Sequence, residues 1–297
     1  MPAFRQSRRG ARHVVHVMMS NQFKSGSQRQ EPVLRVIQIT DTHLFADADG
    51  ALLGLKTQHS FEQVLAQITD VEPGADLLIA TGDISQDGSA ESYQRFAATV
   101  AGLGMPWYWI PGNHDQPDLM RNLPGLSAML SGYVQARNWQ IILLDSSQPE
   151  NVAGRISAAE LERLDGYLRE AENPGSEVQH SLVCLHHNPL PGEAAWMSNI
   201  GLKNTDALVA VLNRYSTVRA VIHGHVHQQR DERAYGLRFI CTPSTGIQFK
   251  PEATEFELDA LAPGWRWFHL YEDGTVHTGV QRLQNFSATI DFESKGY

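Results

Sequence analysis

Three histidines fall within five residues at His223-Gly224-His225-Val226-His227. Packing gives no reason to gather imidazoles at one strand end, whereas metal ligation does. Seven of the 13 histidines sit in four short motifs. Besides this triplet there is the pair His186-His187, His43 in Asp41-Thr42-His43, and His114 in Gly112-Asn113-His114-Asp115. With one residue between them, Asp41 and His43 can both reach one ion from a turn. Gly82 permits a sharp exit from a strand and leaves the Asp83 carboxylate at a sheet edge. Asn113 offers a neutral amide oxygen for a hard cation, and His114 beside it can point at a substrate. Taken singly each motif is weak, and Asp41-Thr42-His43, Gly82-Asp83 and Gly112-Asn113-His114-Asp115 read as readily as turns or a solvated loop.

These motifs need a scaffold that brings strand ends together. Val33–Thr40, Leu77–Ala80, Trp107–Ile110, Ile141–Leu144, Leu182–Leu185 and Val218–Ile222 read as strands, several apolar enough for burial on both faces. Each chemical motif follows one of them directly, where open α/β sheets place their ligands. Helical spacing links Phe61, Val64, Leu65 and Ile68, and again Tyr93, Phe96, Ala97 and Val100. Ser157 and Glu160 form a capping box before a Leu161, Leu164, Leu168 stripe. Thr205 and Asp206 open a last helix, with Leu208, Val211, Leu212 and Tyr215 facing inward. Leu237–Cys241, Trp265–Tyr271 and Thr275–Gln281 extend the β content, the last two joined by Glu272-Asp273-Gly274. The expected layout is one α/β domain over residues 31–297 after a basic tail, residues 1–30.

Composition narrows the function. The chain has 297 residues, 42% apolar and 19% charged, with a formal net charge of −9. Such a composition sustains a core and excludes wholesale disorder. No apolar run is long enough to span a membrane, so no membrane partner is expected. Residues 1–30 hold six basic and no acidic side chains, leaving 18 basic against 33 acidic in the remainder. An acidic body does not suit nucleic acid as a partner. Ser7-Arg8-Arg9 invites comparison with a twin-arginine signal, but Val14–Met19 is too short and histidine-interrupted for the apolar region. The tail is read as a flexible extension, or as a start upstream of Met18 or Met19, with a cytoplasmic location. Cys184 and Cys241 lie in apolar runs and read as reduced, buried thiols.

Taken in order, D-x-H, G-D, G-N-H-D, H-x-x-P and G-H-x-H resemble the signature of the calcineurin-like metallophosphoesterases from about Val33 onward. Ile39–Ala46, Ala80–Asp83, Pro111–Asp115, Thr242–Thr245, Gln248–Pro251 and Ala262–Arg266 are further similar to the bacterial class III 3′,5′-cyclic-AMP phosphodiesterases. The resemblance implies a four-layer αββα sandwich of two mixed sheets flanked by helices. It also implies two metal ions per chain, usually iron and manganese, with zinc compatible. Carried over, Asp41, His43, Asp83 and His227 would hold the first metal. Asp83, Asn113, His186 and His225 would hold the second, Asp83 bridging. His114 would be the catalytic histidine, and His43, Asp83, Asn113, His114 and His227 would face the substrate. Asn188 stands where close relatives can carry a third histidine, so His187 competes with His186. His223 is read as supporting its neighbours.

The implied reaction is hydrolysis of 3′,5′-cyclic AMP to 5′-AMP. Two ions about 3.5–4 Å apart lower the pKa of a bridging water toward roughly 7, giving hydroxide without a protein base. Protonated His114 would serve the departing 3′ oxygen. Alternatives are a relative acting on glycerophosphodiesters, phosphomonoesters or a wider set of cyclic nucleotides, a nuclease, and a non-catalytic scaffold of the same fold. Gly50–Leu55 and Thr245–Pro251 are candidate pocket walls.

Overall fold

The structure is a computed structural model that describes residues 31–192 and 194–296. The basic tail read in residues 1–30 lies outside them. The chain runs β1 (Leu34–Ile39), β2 (Ala51–Leu52), β3 (Leu55–Lys56), α1 (Thr57–Val71), β4 (Leu77–Thr81), α2 (Ala90–Ala101), β5 (Trp107–Ile110) and α3 (Pro117–Asn122). It continues through β6 (Tyr133–Ala136), β7 (Trp139–Leu143), α4 (Ala158–Ala171), β8 (His180–Cys184), α5 (Thr205–Leu212), β9 (Val218–His223), β10 (Arg230–Ala234) and β11 (Leu237–Cys241). Two short strands, β12 (Gln248–Phe249) and β13 (Leu258–Asp259), precede β14 (Gly264–Leu270) and β15 (Val276–Arg282).

Two mixed sheets result, ordered β15-β14-β1-β4-β5 and β10-β11-β9-β8-β7-β6. In the first, β1, β4 and β5 are parallel, and β14 and β15 are antiparallel to their neighbours. In the second, β7, β8, β9 and β11 are parallel, with β6 and β10 as antiparallel edges. Alternation along each strand feeds two cores. Ile37, Ile39, Leu78 and Ala80 face Phe61 of α1 and Phe96 of α2. Val36, Leu77 and Ile79 face Ile141, Leu182, Ile222 and Ile240 of the second sheet. On that sheet's far side, Ile142, Val183 and Phe239 meet Leu164 and Leu168 of α4 and Leu208 and Leu212 of α5. The layers are therefore α, β, β, α. Each fully buried Leu, Ile or Phe contributes about 1.5–3 kcal/mol, which fixes the two sheets face to face.

The Ser157 cap is present, its Oγ accepting from the Glu160 N–H at 3.1 Å. The Glu160 carboxylate instead accepts from the Asp145 N–H at 3.0 Å and pairs with Arg163. It serves the β7–α4 connection rather than the reciprocal half of a capping box. Tyr215 lies beyond the end of α5, though it still packs on the core.

Candidate metal centre

Every chemical motif follows the carboxyl end of a parallel strand. After β1 and β4 end, their ladder continues through two turns. Asp41 N–H donates to Gly82 O at 3.0 Å, and His43 N–H donates to Asp83 O at 2.9 Å. This zipper sets Asp41 and His43 beside Asp83. The second sheet delivers His186 after β8 and His225 with His227 after β9, where Gly224 N–H donates to His186 O at 3.1 Å. Asn113 and His114 arrive on the turn after β5.

Five of these residues have left-handed backbone: Asp41 (φ 54°), His43 (φ 47°), Asp83 (φ 49°), His225 (φ 71°) and His227 (φ 50°). A non-glycine residue held there costs roughly 1–3 kcal/mol, and such strain gathers at functional sites. Two motif glycines are required by close approach. A Cβ on Gly112 would overlap the Asp83 carboxylate, and one on Gly224 would overlap Thr40 Oγ1 and the Asp41 carboxylate.

The imidazoles are oriented by backbone carbonyls, which can only accept. His227 Nδ1 lies 2.9 Å from Ile247 O, His186 Nδ1 2.7 Å from Thr81 O, and His225 Nε2 3.1 Å from Ile200 O. Each of those nitrogens carries the proton, so the opposite nitrogen turns inward. There the inward atoms crowd. His227 Nε2 is 3.2 Å from His43 Nε2 and 3.4 Å from Asp41 Oδ1. His186 Nε2 is 3.1 Å from Asn113 Oδ1 and 3.2 Å from His225 Nδ1. Asp83 Oδ2 reaches both groups, 3.8 Å from His43 Nε2 and 3.3 Å from His186 Nε2. Two foci sharing one carboxylate oxygen emerge.

A buried nest of nitrogen and oxygen lone pairs is repulsive until a cation fills it, and imidazole, carboxylate and amide donors without thiolate suit iron, manganese or zinc. The donor set therefore fits a pair of metal ions. Electrostatics agree. Burial pushes His43 down to about 3 and His225 well below its ordinary range, the neutral form that ligation needs. Burial also opposes charge on His186, but the neighbouring Asp83 and Asp41 carboxylates hold it up at about 9. Burial likewise raises Asp41 and Asp83, yet the imidazoles around them keep both carboxyls low. The pocket favours positive charge.

His187 differs from its neighbour. Its Nδ1 lies 2.9 Å from Ser146 Oγ and its Nε2 3.1 Å from Val152 O, so both nitrogens have protein partners. It backs His225, ring centroids 4.7 Å apart. His223 is buried, its Nδ1 3.1 Å from Gly224 O. His114 stands edge-on to His43, with centroids 5.0 Å apart, and its backbone N–H donates to Asp83 Oδ1 at 2.9 Å.

Several supports escaped the reading of the sequence. Asp115 accepts from the N–H groups of Gly112 (2.8 Å), Ile84 (3.1 Å) and Ser85 (3.0 Å), clamping the Asp83 turn to the Asn113 turn. Burial, then Asp83, pushes its carboxyl up to about 6. Gln38 and Arg266 form a buried polar bridge behind the centre. Gln38 Nε2 donates to Thr81 Oγ1 at 2.8 Å and to His223 O at 3.0 Å, while its Oε1 accepts from Thr242 Oγ1 at 2.5 Å. Arg266 donates to Cys241 O at 2.8 Å and Thr242 Oγ1 at 3.2 Å. A polar residue interrupting the apolar strands VLRVIQIT and GWRWFHL was the available signal.

Beside the foci opens a cavity of about 300 Å³, lined by Asp83, Asn113, His114 and His225 on one side and Trp196, Phe249 and Phe256 on another. Phe249 comes from the expected Thr245–Pro251 wall and stacks on His227 at 4.2 Å. Gly50–Leu55 does not line this cavity; its hairpin, β2–β3, places Leu52 and Leu55 in the apolar cluster that contains Phe249.

Comparison with known proteins agrees with this geometry. The profile of the calcineurin-like phosphoesterases matches residues 34–229. A Pseudomonas aeruginosa protein named 3′,5′-cyclic adenosine monophosphate phosphodiesterase CpdA is 40% identical over 262 residues, covering 88% of this chain and 94% of its own. Its Escherichia coli namesake is 41% identical, covering 90% and 96%. A 3′,5′-cyclic-nucleotide phosphodiesterase from Nostoc is 37% identical, covering 84% and 92%. Among solved structures, a dimetal phosphatase from Danio rerio superposes with TM-score 0.62 at 17% identity, over 82% of this chain and 94% of that one. That likeness concerns the fold. With two thirds of its length under one profile and relatives near 40% identity across most of it, the chain belongs to the calcineurin-like phosphoesterase family.

Proposed function

We propose that this chain hydrolyses 3′,5′-cyclic AMP to 5′-AMP at two metal ions held by the convergent foci. The observation that carries the reading is the position of Asp83 Oδ2, shared between the two imidazole groups, on a residue that lines a cavity of about 300 Å³. The names of the relatives at about 40% identity support the choice of substrate. Asp41, His43 and His227 would hold one ion, Asn113, His186 and His225 the other, and Asp83 both. Iron and manganese are the expected pair, and the same donors suit zinc. Bound there, the ions would supply Lewis acidity and a deprotonated water at neutral pH, without a protein base.

The chain's own groups do the rest. The carbonyls of Thr81, Ile200 and Ile247 hold three imidazoles in one orientation. Thr40 Oγ1 donates to Asp41 Oδ2 at 2.7 Å, and the His225 N–H approaches the same carboxylate, so it cannot rotate away. His43, Asp83, Asn113, His114 and His227 face the phosphodiester. His114 borders the cavity, where its imidazolium would steady charge on the phosphoryl oxygens and pass a proton to the 3′ oxygen as the P–O3′ bond breaks. The oxygen of water ends on phosphorus, and 5′-AMP leaves. The aromatic wall of Trp196, Phe249 and Phe256 offers flat apolar surface to the base. Residues 31–297 are proposed as one catalytic domain. Among the described residues no helix is long and apolar enough to cross a membrane, and a cytoplasmic location fits a cyclic nucleotide substrate.

A panel of cyclic AMP, cyclic GMP, glycerophosphocholine and p-nitrophenyl phosphate esters tests the proposal. Cyclic AMP should give the highest kcat/KM; preference for a monoester or for glycerophosphocholine would overturn it.

A further inference from the structure

The carboxy-terminal segment supplies part of the cavity wall. Together with Asp83, Asn113, His114 and His225, Lys295 and Gly296 line the cavity. They belong to a segment that leaves β15 at Arg282 and contains neither helix nor strand. Irregular backbone holds a position only through tethers, and this one has several. Leu283 N–H donates to Pro263 O at 2.9 Å, and Asp291 N–H donates to Leu53 O at 2.8 Å. Phe286 and Ile290 pack against the apolar cluster that contains Phe249. Gly54, at φ +86°, gives the segment a bare seat, where a Cβ would stand 2.8 Å from Thr289 O. The β2–β3 hairpin is thus a saddle for a strap. Beyond the saddle, Asp291 Oδ1 accepts from the Glu293 N–H at 3.1 Å, turning the chain toward the cavity.

The strap's last residues form part of the cavity wall, so a ligand longer than the cavity has to run past them. Lys295 is the one lysine or arginine among the described residues lining the cavity. On the other side of Asn113, a second cavity of about 520 Å³ is bordered by Asp118, Asp145 and Glu150 against Arg121. An extended polyanion leaving in that direction meets net negative charge. A longer substrate therefore has to pass either the strap or this acidic border.

We propose that residues 293–296 determine specificity by size: they confine the centre to a phosphodiester within a single nucleoside and exclude linear dinucleotides, Lys295 offsetting the charge of the bound phosphate. The proposal deepens the phosphodiesterase reading above and rests on it. The test compares the full chain, a chain stopped after Phe292, which keeps the tethers at Leu283, Phe286, Ile290 and Asp291, and Lys295→Ala. Substrates are cyclic AMP, the 5′-phosphorylated dinucleotide 5′-phosphoadenylyl-(3′→5′)-adenosine, whose second phosphate carries charge beyond the scissile one, and bis(p-nitrophenyl) phosphate, the last reporting the reacting centre itself. Truncation should raise the ratio of dinucleotide to bis(p-nitrophenyl) phosphate kcat/KM by roughly tenfold or more. Lys295→Ala should raise KM for cyclic AMP by about threefold without admitting the dinucleotide. An unchanged ratio in the truncated chain overturns the strap. Failure of the full chain to turn over cyclic AMP while it hydrolyses bis(p-nitrophenyl) phosphate would overturn the substrate reading instead, and the ratio would still decide the strap.

Discussion

Gln38 and Arg266 stand directly opposite each other in the antiparallel β1–β14 ladder, and both are buried. They project from the first sheet to the second, where Thr242 is hydrogen-bonded to each. Because Gln38 also holds Thr81 and the carbonyl of His223, one amide joins the strand ends that carry Asp83 and His225. Gln38→Leu keeps the volume and abandons three polar partners. It should destabilise the protein by about 2–3 kcal/mol, since each stranded buried group costs about 1–3 kcal/mol and the rest relaxes. Urea denaturation measures this; a loss below about 0.5 kcal/mol would contradict it.

Gly224→Ala should empty the centre rather than unfold the chain. The added methyl has to displace Thr40 Oγ1 or the Asp41 carboxylate, and overpacking of this kind costs about 1–3 kcal/mol. Metal content measured by mass spectrometry should fall together with turnover, while circular dichroism stays native. Full metal content with full turnover would contradict the close approach.

The adjacent histidines should separate cleanly. His186→Ala removes an inward nitrogen and should cost the protein about one metal equivalent and at least a hundredfold in turnover. His187→Asn removes a group already engaged by Ser146 and Val152, and should retain both metals. Metal stoichiometry of the two variants decides, and the reverse pattern would exchange their roles.

Away from the centre, Asp231 and Arg238 pair across β10 and β11 at 2.7 Å and 2.9 Å. The Arg238 hydrogen bond, ahead of burial, holds the Asp231 carboxyl below its ordinary 3.8. A depressed carboxyl contributes stability that is present above 3.8 and lost as pH falls below it. The pair is partly exposed, so its contribution is under about 1 kcal/mol. The stability difference between the native chain and Asp231→Asn should be constant above about pH 5 and shrink toward zero in acid; a difference that grows in acid would contradict the pairing.

The buried strands were legible because apolar runs such as Leu77–Ala80 alternate between two cores, and the four motifs were legible because imidazoles were concentrated where packing has no use for them. The edge strand β10, Arg-Asp-Glu-Arg-Ala, was not: charged residues that protect an open edge erase the apolar alternation that marks a strand. Nor was the bridge of Gln38 and Arg266, since a lone polar residue within a strand does not announce its partner 228 positions away. The aromatic wall was only partly visible. Phe249 lies within the Thr245–Pro251 segment, but Trp196 sits on a single 3-10 turn and Phe256 on a loop, both too short to carry a periodic signal.

His114→Ala separates chemistry from binding. His114 should leave the foci intact, so metal content should be retained while kcat falls by about 10²–10⁴. Unchanged kcat on cyclic AMP would remove its assignment.

Asp83 is the residue on which both foci depend. Purified Asp83→Ala, assayed side by side for metal by mass spectrometry and for cyclic AMP hydrolysis, tests that dependence most directly. The account expects metal to fall from two equivalents to one or none and turnover to drop at least about a thousandfold. Two retained equivalents with near-native hydrolysis would contradict it.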